Sequence, residues 1–434
     1  MARLTREGLL ESYRSLGRAR EGWLVGAEFE RHLLDDEGKP LPYFNGVRDL
    51  MRAVAHRQGR EAVNEGDNPI ALGGPGGAVT LEPGGQFELS GTPFAALAEV
   101  EREADRFTEV VAEALGEIGG TQVAIGYTPY AALKDISWVP KGRYEIMRSH
   151  LQKTGELAHH MMKGTCAVQA SFDYLDESDC SRKVRLAAAV SPLIVGMYAN
   201  SPYTEGRPNG FMSFRGWAWL HTDPRRTGLP DAAMNFTMAG WVDYLLDVPL
   251  LFQRKGGEWV APAEGMTFRD WMCEGGEGPS LEDWALHQTS VFPEVRVKEQ
   301  IEVRSADSVS MPLAMSLCAL WKGLYHSEAA LADAEQIGRL FAREGTRKGR
   351  LEQACREGLA GHVGGRTLLS WSQDLVECAL RGLQHIAPDE VRYLAPLEAV
   401  LASGMCPARA LLEELGEEPD PGALVRACTM QGER

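Results

Sequence analysis

Five glutamates carry the chemistry this sequence offers. Along Trp23 to Leu33 apolar and polar residues alternate, and side chains of a strand return to one face every second residue, so Glu28 and Glu30 share a side about 7 Å apart. Glu82 and Glu88 flank a Pro-Gly-Gly break in the run Thr80 to Ser90. Proline lacks a donor and glycine permits positive φ, so a bent strand or bulge is expected there. From Glu294 to Arg304 the even positions read Glu294, Arg296, Lys298, Gln300, Glu302 and Arg304, while Val295, Val297, Ile301 and Val303 stand at odd ones. That pattern predicts one strand whose polar face carries Glu302. Carboxylates gathered within about 6 Å raise one another's pKa, so a cluster of them demands a cation. Hard oxygen ligands suit Mg2+ or Mn2+, ions that also recruit phosphate oxygens. Whether the five converge is a property of the fold.

Arginine is the complementary residue, since its planar fork holds a carboxylate or phosphate bidentately. Arg143 in Pro140 to Tyr144, Arg215 in Gly210 to Arg215, and Arg225 and Arg226 in Asp223 to Gly228 all sit beside turn-forming residues and are read as loop arginines. The loop Ala199 to Gly210 is dense in turn formers, a composition typical of binding loops. The Gly-rich segment Gly73 to Gly77 lacks the Gly-Lys-Ser/Thr and the following helix of a phosphate loop, so a hairpin turn is expected.

The elements that must position these groups follow from periodicity. Thr165 to Tyr174 alternates Thr165, Gln169, Ser171 and Asp173 against Cys166, Val168, Phe172 and Tyr174, a half-buried strand. Such alternation belongs to antiparallel sheets with one packed and one wet face, which makes the fold class α+β. Thr5 caps a helix bearing Leu9, Leu10, Tyr13 and Leu16, and Thr92-Pro93 signals another helix running to about Gly116. Beyond residue 325 nearly everything reads as amphipathic helix. The expected organisation is an α+β domain over 1–325 with a mainly helical layer, 326–434, packed on it.

Composition narrows the function classes. The 434 residues hold 61 acidic against 45 basic side chains, and the net charge of −16 opposes phosphate backbones and anionic lipid, so neither nucleic acid nor membrane is an expected partner. No apolar run approaches the roughly 20 residues of a membrane span, and Met1 to Glu7 turns charged at once, which reads as cytoplasmic. Eight scattered cysteines are too few for a disulfide scaffold, and ten histidines show no zinc-ligand spacing.

Several longer motifs point further. Gly26 to Glu30 (GAEFE), Leu81 to Ser90 (LEPGGQFELS), Pro140 to Met147 (PKGRYEIM), Met161 to Asp173 (MMKGTCAVQASFD), Ala199 to Phe211 (ANSPYTEGRPNGF), Arg225 to Gly228, Gly265 to Arg269 and Phe292 to Asp307 together resemble the plant and proteobacterial type of glutamate-cysteine ligase. The likeness runs from about residue 5 to about residue 415. It implies an antiparallel sheet curved into a funnel, similar to glutamine synthetase and the guanidino kinases. The implied reaction joins the γ-carboxylate of L-glutamate to the amine of L-cysteine with ATP, through a γ-glutamyl phosphate. Carried over by position, Glu28, Glu30, Glu82, Glu88, Gln169 and Glu302 are expected at Mg2+ or Mn2+. Arg304 and Lys298 are expected at ATP, and Arg143, Arg215 and Trp219 at glutamate, with Arg304 and Arg215 in catalysis. The expected partners are these small molecules, and the expected assembly is a monomer or weak homodimer. Departures from the family pattern leave other amine acceptors open: its arginine before Thr-Cys is Gly164 here, and Gly-Ala-Asp-Gly-Gly becomes Ser305 to Val309. From another class, a carboxylate-pair hydrolase or a non-catalytic metal- or amino-acid-binding protein would use the same acids.

Overall fold

Helix α1 (Arg6–Arg14) begins where the Thr5 hydroxyl accepts the Gly8 amide, and it buries Leu9, Leu10 and Tyr13. The computed structural model describes residues 3–74, 76–275 and 278–429; Pro75, within the segment Gly73 to Gly77 where a hairpin turn is expected, lies outside them, as do Met1, Ala2, 276–277 and 430–434. Further elements that matter to the site are β1 (Val25–Leu34), α2 (Arg48–Gln58), β2 (Glu61–Glu65), β3 (Asn68–Gly73), β4 (Ala78–Leu81), β5 (Phe87–Ser90), α3 (Leu97–Ile118) and β6 (Thr121–Val123). They continue with α4 (Gly142–Leu151), α5 (Ala158–Gly164), β7 (Ala167–Phe172), α6 (Glu177–Tyr198), α7 (Phe214–Leu220), α8 (Leu281–Gln288), β8 (Val295–Val297), β9 (Ile301–Asp307) and α9 (Met311–His326).

One nine-stranded sheet organises the chain in the order β8-β9-β7-β1-β5-β4-β3-β2, with β6 paired to β1. Every pairing in it is antiparallel. The fold is therefore α+β, an antiparallel sheet flanked by helices. Directly opposed residues in an antiparallel ladder share a face. The register Arg296↔Glu302↔Ser171 and Gln169↔Glu28↔Ser90, with Glu30↔Glu88↔Thr80, thus lays a polar floor across six strands. Val25, Ala27, Phe29, Val168, Ala170, Phe172, Ile301 and Val303 point the other way into the apolar core. That core runs through one cluster from Leu9 to Ala408, so the helices Glu328–Arg343 and Leu368–Ile386, which pack on α6 and α9, share it with the sheet.

Several local expectations need correction. Glu294 to Arg304 is a hairpin, β8 and β9, turning through Lys298 to Gln300. The even-position face survives because the opposed pair Arg296 and Glu302 differ by an even number. Leu81 to Ser90 is likewise a hairpin, closed by Glu82 N–H donating to Gln86 C=O at 3.0 Å with Gly85 at φ +87°, in place of a bulge within one strand. Residues after Thr92 stay extended, because Phe94 pairs with Val25 at 2.8 and 3.0 Å, and α3 starts only at Leu97. Arg143 and Arg215 lie in the first turns of α4 and α7, outside the loops. Arg226 is fully buried against Asp223 at 2.7 Å, a structural ion pair. The polar floor is not wet either: Glu30, Glu88, Gln169, Arg296, Glu302 and Arg304 are each at most 9% exposed.

Candidate active site

Burying so many charges demands compensation, and the floor supplies it unevenly. At one end, Glu302 Oε2 accepts from Arg296 Nε at 2.6 Å and Arg304 Nη1 at 3.1 Å, and its Oε1 lies 3.4 Å from Lys298 Nζ. Burial pushes this carboxyl up, but Arg296, Lys298 and Arg304 overcome that and hold it well below the usual range. Arg304 also donates to the Gln169 oxygen, and the Gln169 amide donates to Glu30 Oε1 at 2.9 Å. The Ala167 amide reaches Glu30 Oε2 at 2.7 Å, yet burial and then Glu88 and Glu82 keep Glu30 well above its ordinary value. Thr80 and Ser90 donate to Glu88 Oε1 at 2.9 and 2.7 Å, and burial with Glu82 still raises it.

Glu28 stands between the two ends with no hydrogen-bond or ion-pair partner among the described residues. Burial, then Glu88 and Glu302, push it up to about 8. It opens with Glu302, Lys298 and Ser171 onto a cavity of about 450 Å³, bounded opposite by Tyr13 of α1, by Leu16 just after that helix, and by Trp284 and Gln288 of α8. At the far end Glu82, on the β4–β5 turn, acts on Glu30, Glu88, Lys141 and Tyr144. Tyr144 anchors that corner, its hydroxyl donating to Leu81 C=O at 2.6 Å, and both Lys141 and Arg143 lie over its ring, at 5.0 and 5.4 Å. Burial, helped by Arg143, lowers Lys141 to about 8. Glu65 accepts the Gly142 amide at 2.6 Å and so caps the helix that carries Arg143.

The fold brings Glu28, Glu30, Glu82, Glu88, Gln169, Glu302, Arg304 and Lys298 onto one floor. Arg215 joins them, its Nη2 donating to Arg304 C=O at 2.8 Å, with Trp219 beside it at 6.0 Å. Arg143 belongs to the opposite, Glu82 end. Arg143 Nε, Arg215 Nε and Trp219 Nε1 are all buried without a partner among the described residues. Such orphaned N–H groups are rare and suit an anionic ligand. Among the described residues no three acidic, imidazole or thiol groups are already gathered round one point that would hold a metal ion. The donor chemistry nevertheless fits a hard divalent cation: Glu28 and Glu82 lack donors among the described residues, and their neighbours' charges leave the carboxylates of adjacent strands mutually repelled. Gln169 is the poorer candidate ligand, since its oxygen is taken by Arg304.

Sequence reasoning gave no role to Arg296, Lys141 or Asp307. Arg296 could have been found from its even position on the Glu302 face, and Lys141 from its place beside Arg143. Asp307 could not, because its orientation depends on a bulge.

The family model described as glutamate-cysteine ligase family 2 (GCS2) matches residues 24–430. The chain is 36% identical to the chloroplastic glutamate–cysteine ligase of Brassica juncea, over 96% of this chain and 83% of that protein. To the chloroplastic enzyme of Arabidopsis thaliana it is 35% identical, over 96% and 82%. Among solved structures, glutamate–cysteine ligase from Francisella tularensis in complex with AMP superposes with a TM-score of 0.60 at 12% identity, covering 94% of this chain and 87% of that one.

Proposed function

The chain belongs to the glutamate-cysteine ligase family 2, and on that premise we propose that it joins the γ-carboxylate of L-glutamate to the amine of L-cysteine, converting ATP to ADP and phosphate. The observation that carries the reading is the buried floor, where unpartnered carboxylates meet a separate set of cations. A carboxylate is a poor acyl donor, so its γ-oxygen first attacks the terminal phosphorus of ATP and ADP leaves. The cysteine amine then attacks the resulting acyl phosphate, releasing phosphate. Both steps load negative charge onto phosphate oxygens, and enzymes of this kind work by positioning and electrostatic stabilisation.

In this reading Arg304 and Lys298 bind the ATP phosphates, and the cavity of about 450 Å³ that Lys298 and Glu302 line takes the nucleotide. Arg296 remains on Glu302 through Nε and on Val291 C=O at 3.1 Å, so Glu302 keeps one cation when Arg304 and Lys298 turn to phosphate. Arg215 with Trp219 Nε1 holds one carboxylate of glutamate and Arg143 the other, filling the orphaned N–H groups. Glu28, Glu30, Glu82, Glu88 and Glu302 would hold Mg2+ or Mn2+, with Gln169 joining only after Arg304 releases its oxygen. A bound divalent cation supplies charge neutralisation at the transferred phosphoryl group.

Gly164 motivates a second acceptor reading. A Cβ there would lie 2.4 Å from the Tyr127 ring, so Tyr127 fills the space that a side chain at this position would need. The acceptor amine is therefore tested together with the reaction. Phosphate release is measured with ATP, Mg2+, glutamate and cysteine, omitting each in turn, and then over a panel of amines. Full activity is expected only with all four. Phosphate release that ignores glutamate would overturn the reading, whereas a better amine than cysteine would change the acceptor alone. No described helix is long and apolar enough to cross a membrane. All eight cysteines are free, which suits a reducing compartment; we assign the cytoplasm and a monomer or weak homodimer.

A further inference from the structure

We infer that Asp307 is the positioning residue that holds Arg215 in its carboxylate-binding pose; this rests on the reading of Arg215 given above. Strand alternation alone would send Asp307 to the apolar side, opposite Glu302. Instead the pairing of β9 with β7 slips between Val303 and Ala306, so that Val303 opposes Ala170 but Asp307 opposes Ala167. That bulge reverses the parity of the strand and turns Asp307 to the same side as Gln169 and Glu302.

There its carboxylate, 1% exposed, ties together three segments. Oδ2 accepts the Asn200 amide at 2.8 Å and the Ser201 hydroxyl at 2.6 Å, and Oδ1 accepts the Ser213 hydroxyl at 2.7 Å. Both serines pass the constraint to α7. Ser201 Oγ accepts the Arg215 amide at 3.1 Å, and Ser213 Oγ accepts the Gly216 amide at 3.0 Å, capping the helix. Arg215 Nη1 lies 3.9 Å from Asp307 Oδ1 while Nη2 donates to Arg304 C=O. The guanidinium is thereby fixed from behind, leaving Nε without a partner among the described residues and the Trp219 ring 6.0 Å from the guanidinium. Space is equally constrained: a Cβ on Gly126 would sit 2.5 Å from Asp307 Oδ2. A group held this way binds substrate without paying reorganisation on each turnover.

The test is steady-state kinetics of Asp307→Asn, Arg215→Gln and the double variant, with glutamate binding followed by calorimetry. Asp307→Asn is expected to raise the glutamate KM and Kd roughly tenfold while the ATP KM stays within about threefold, and to add nothing further in the Arg215→Gln background. A purely structural role would lower the active fraction and shift both substrates alike. An unchanged glutamate KM in Asp307→Asn, or a full additional loss in the double variant, overturns the inference. An unchanged KM in Arg215→Gln instead overturns the reading of Arg215 beneath it. If Asp307→Asn fails to fold by circular dichroism, Ser201→Ala decides: it is expected to raise the glutamate KM about threefold only while Arg215 is present, and no change refutes the proposal.

Discussion

Glu28 makes the electrostatics of the floor measurable. Raise the pH of the metal-free protein from about 6 to about 8 in a chelator, and compare it with Glu28→Gln by urea unfolding. Burial and the charges of Glu88 and Glu302 push the Glu28 carboxyl up to about 8, against an ordinary 4.5. Between those values the folded protein binds a proton that the unfolded chain has lost. Stability therefore falls as pH rises, by at most 1.36 kcal/mol per pH unit for one group. Integrated over this interval, with saturation setting in near pH 8, the loss from Glu28 is about 2 kcal/mol, an upper figure because cavity water screens part of the repulsion. Gln cannot titrate, so the variant should lose that portion of the slope. Saturating Mg2+, which binds the ionised carboxylates, should stabilise the parent more at the higher pH. A parent and variant with the same pH slope, or a Mg2+ effect that does not grow with pH, would refute the account of repelling carboxylates sharing a cation.

Glu302→Gln should reduce ATP turnover per folded molecule by roughly 10²–10³, measured by phosphate release. Its thermal melt should also report about 3 kcal/mol lost, since Arg296 and Arg304 lose their buried counter-charge. Lys298→Met should raise the ATP KM about tenfold with the glutamate KM unmoved, the signature of a charged contact made to nucleotide only. Gly164→Ala should destabilise by about 1–3 kcal/mol in denaturant unfolding, because its Cβ meets the buried Tyr127 ring.

How much of this was legible in the sequence depends on the range over which the cause acts. Side-chain alternation is local, so the shared face of Glu28 and Glu30, the antiparallel character of the sheet and the polar face of Glu294 to Arg304 could be read directly. Turn chemistry is only partly local. The Pro83-Gly84-Gly85 break was visible, but whether it bends one strand or pairs two depends on cross-strand partners, and the turn at Lys298 to Gln300 was hidden in an unbroken alternation. The start of α3 moved because Phe94 found Val25, a contact with a residue on another element.

Convergence belongs wholly to tertiary structure. Strand order brings Glu302 on β9, Gln169 on β7, Glu30 on β1 and Glu88 on β5 side by side, although they are far apart in the chain. Helices α1, α4, α7 and α8 bury that floor, so residues that alternation alone would place in water are desolvated. Desolvation pushes both Glu28 and Glu302 up, but Glu88 and Glu302 add to it at Glu28 whereas Arg296, Lys298 and Arg304 overcome it at Glu302. Residue types and spacing determined which acids and bases this protein brings to its chemistry. Distances, burial and the bulge before Asp307 determined which of them act on one another, because Coulomb interaction and hydrogen bonding depend on separation in space, and periodicity along the chain carries no such information.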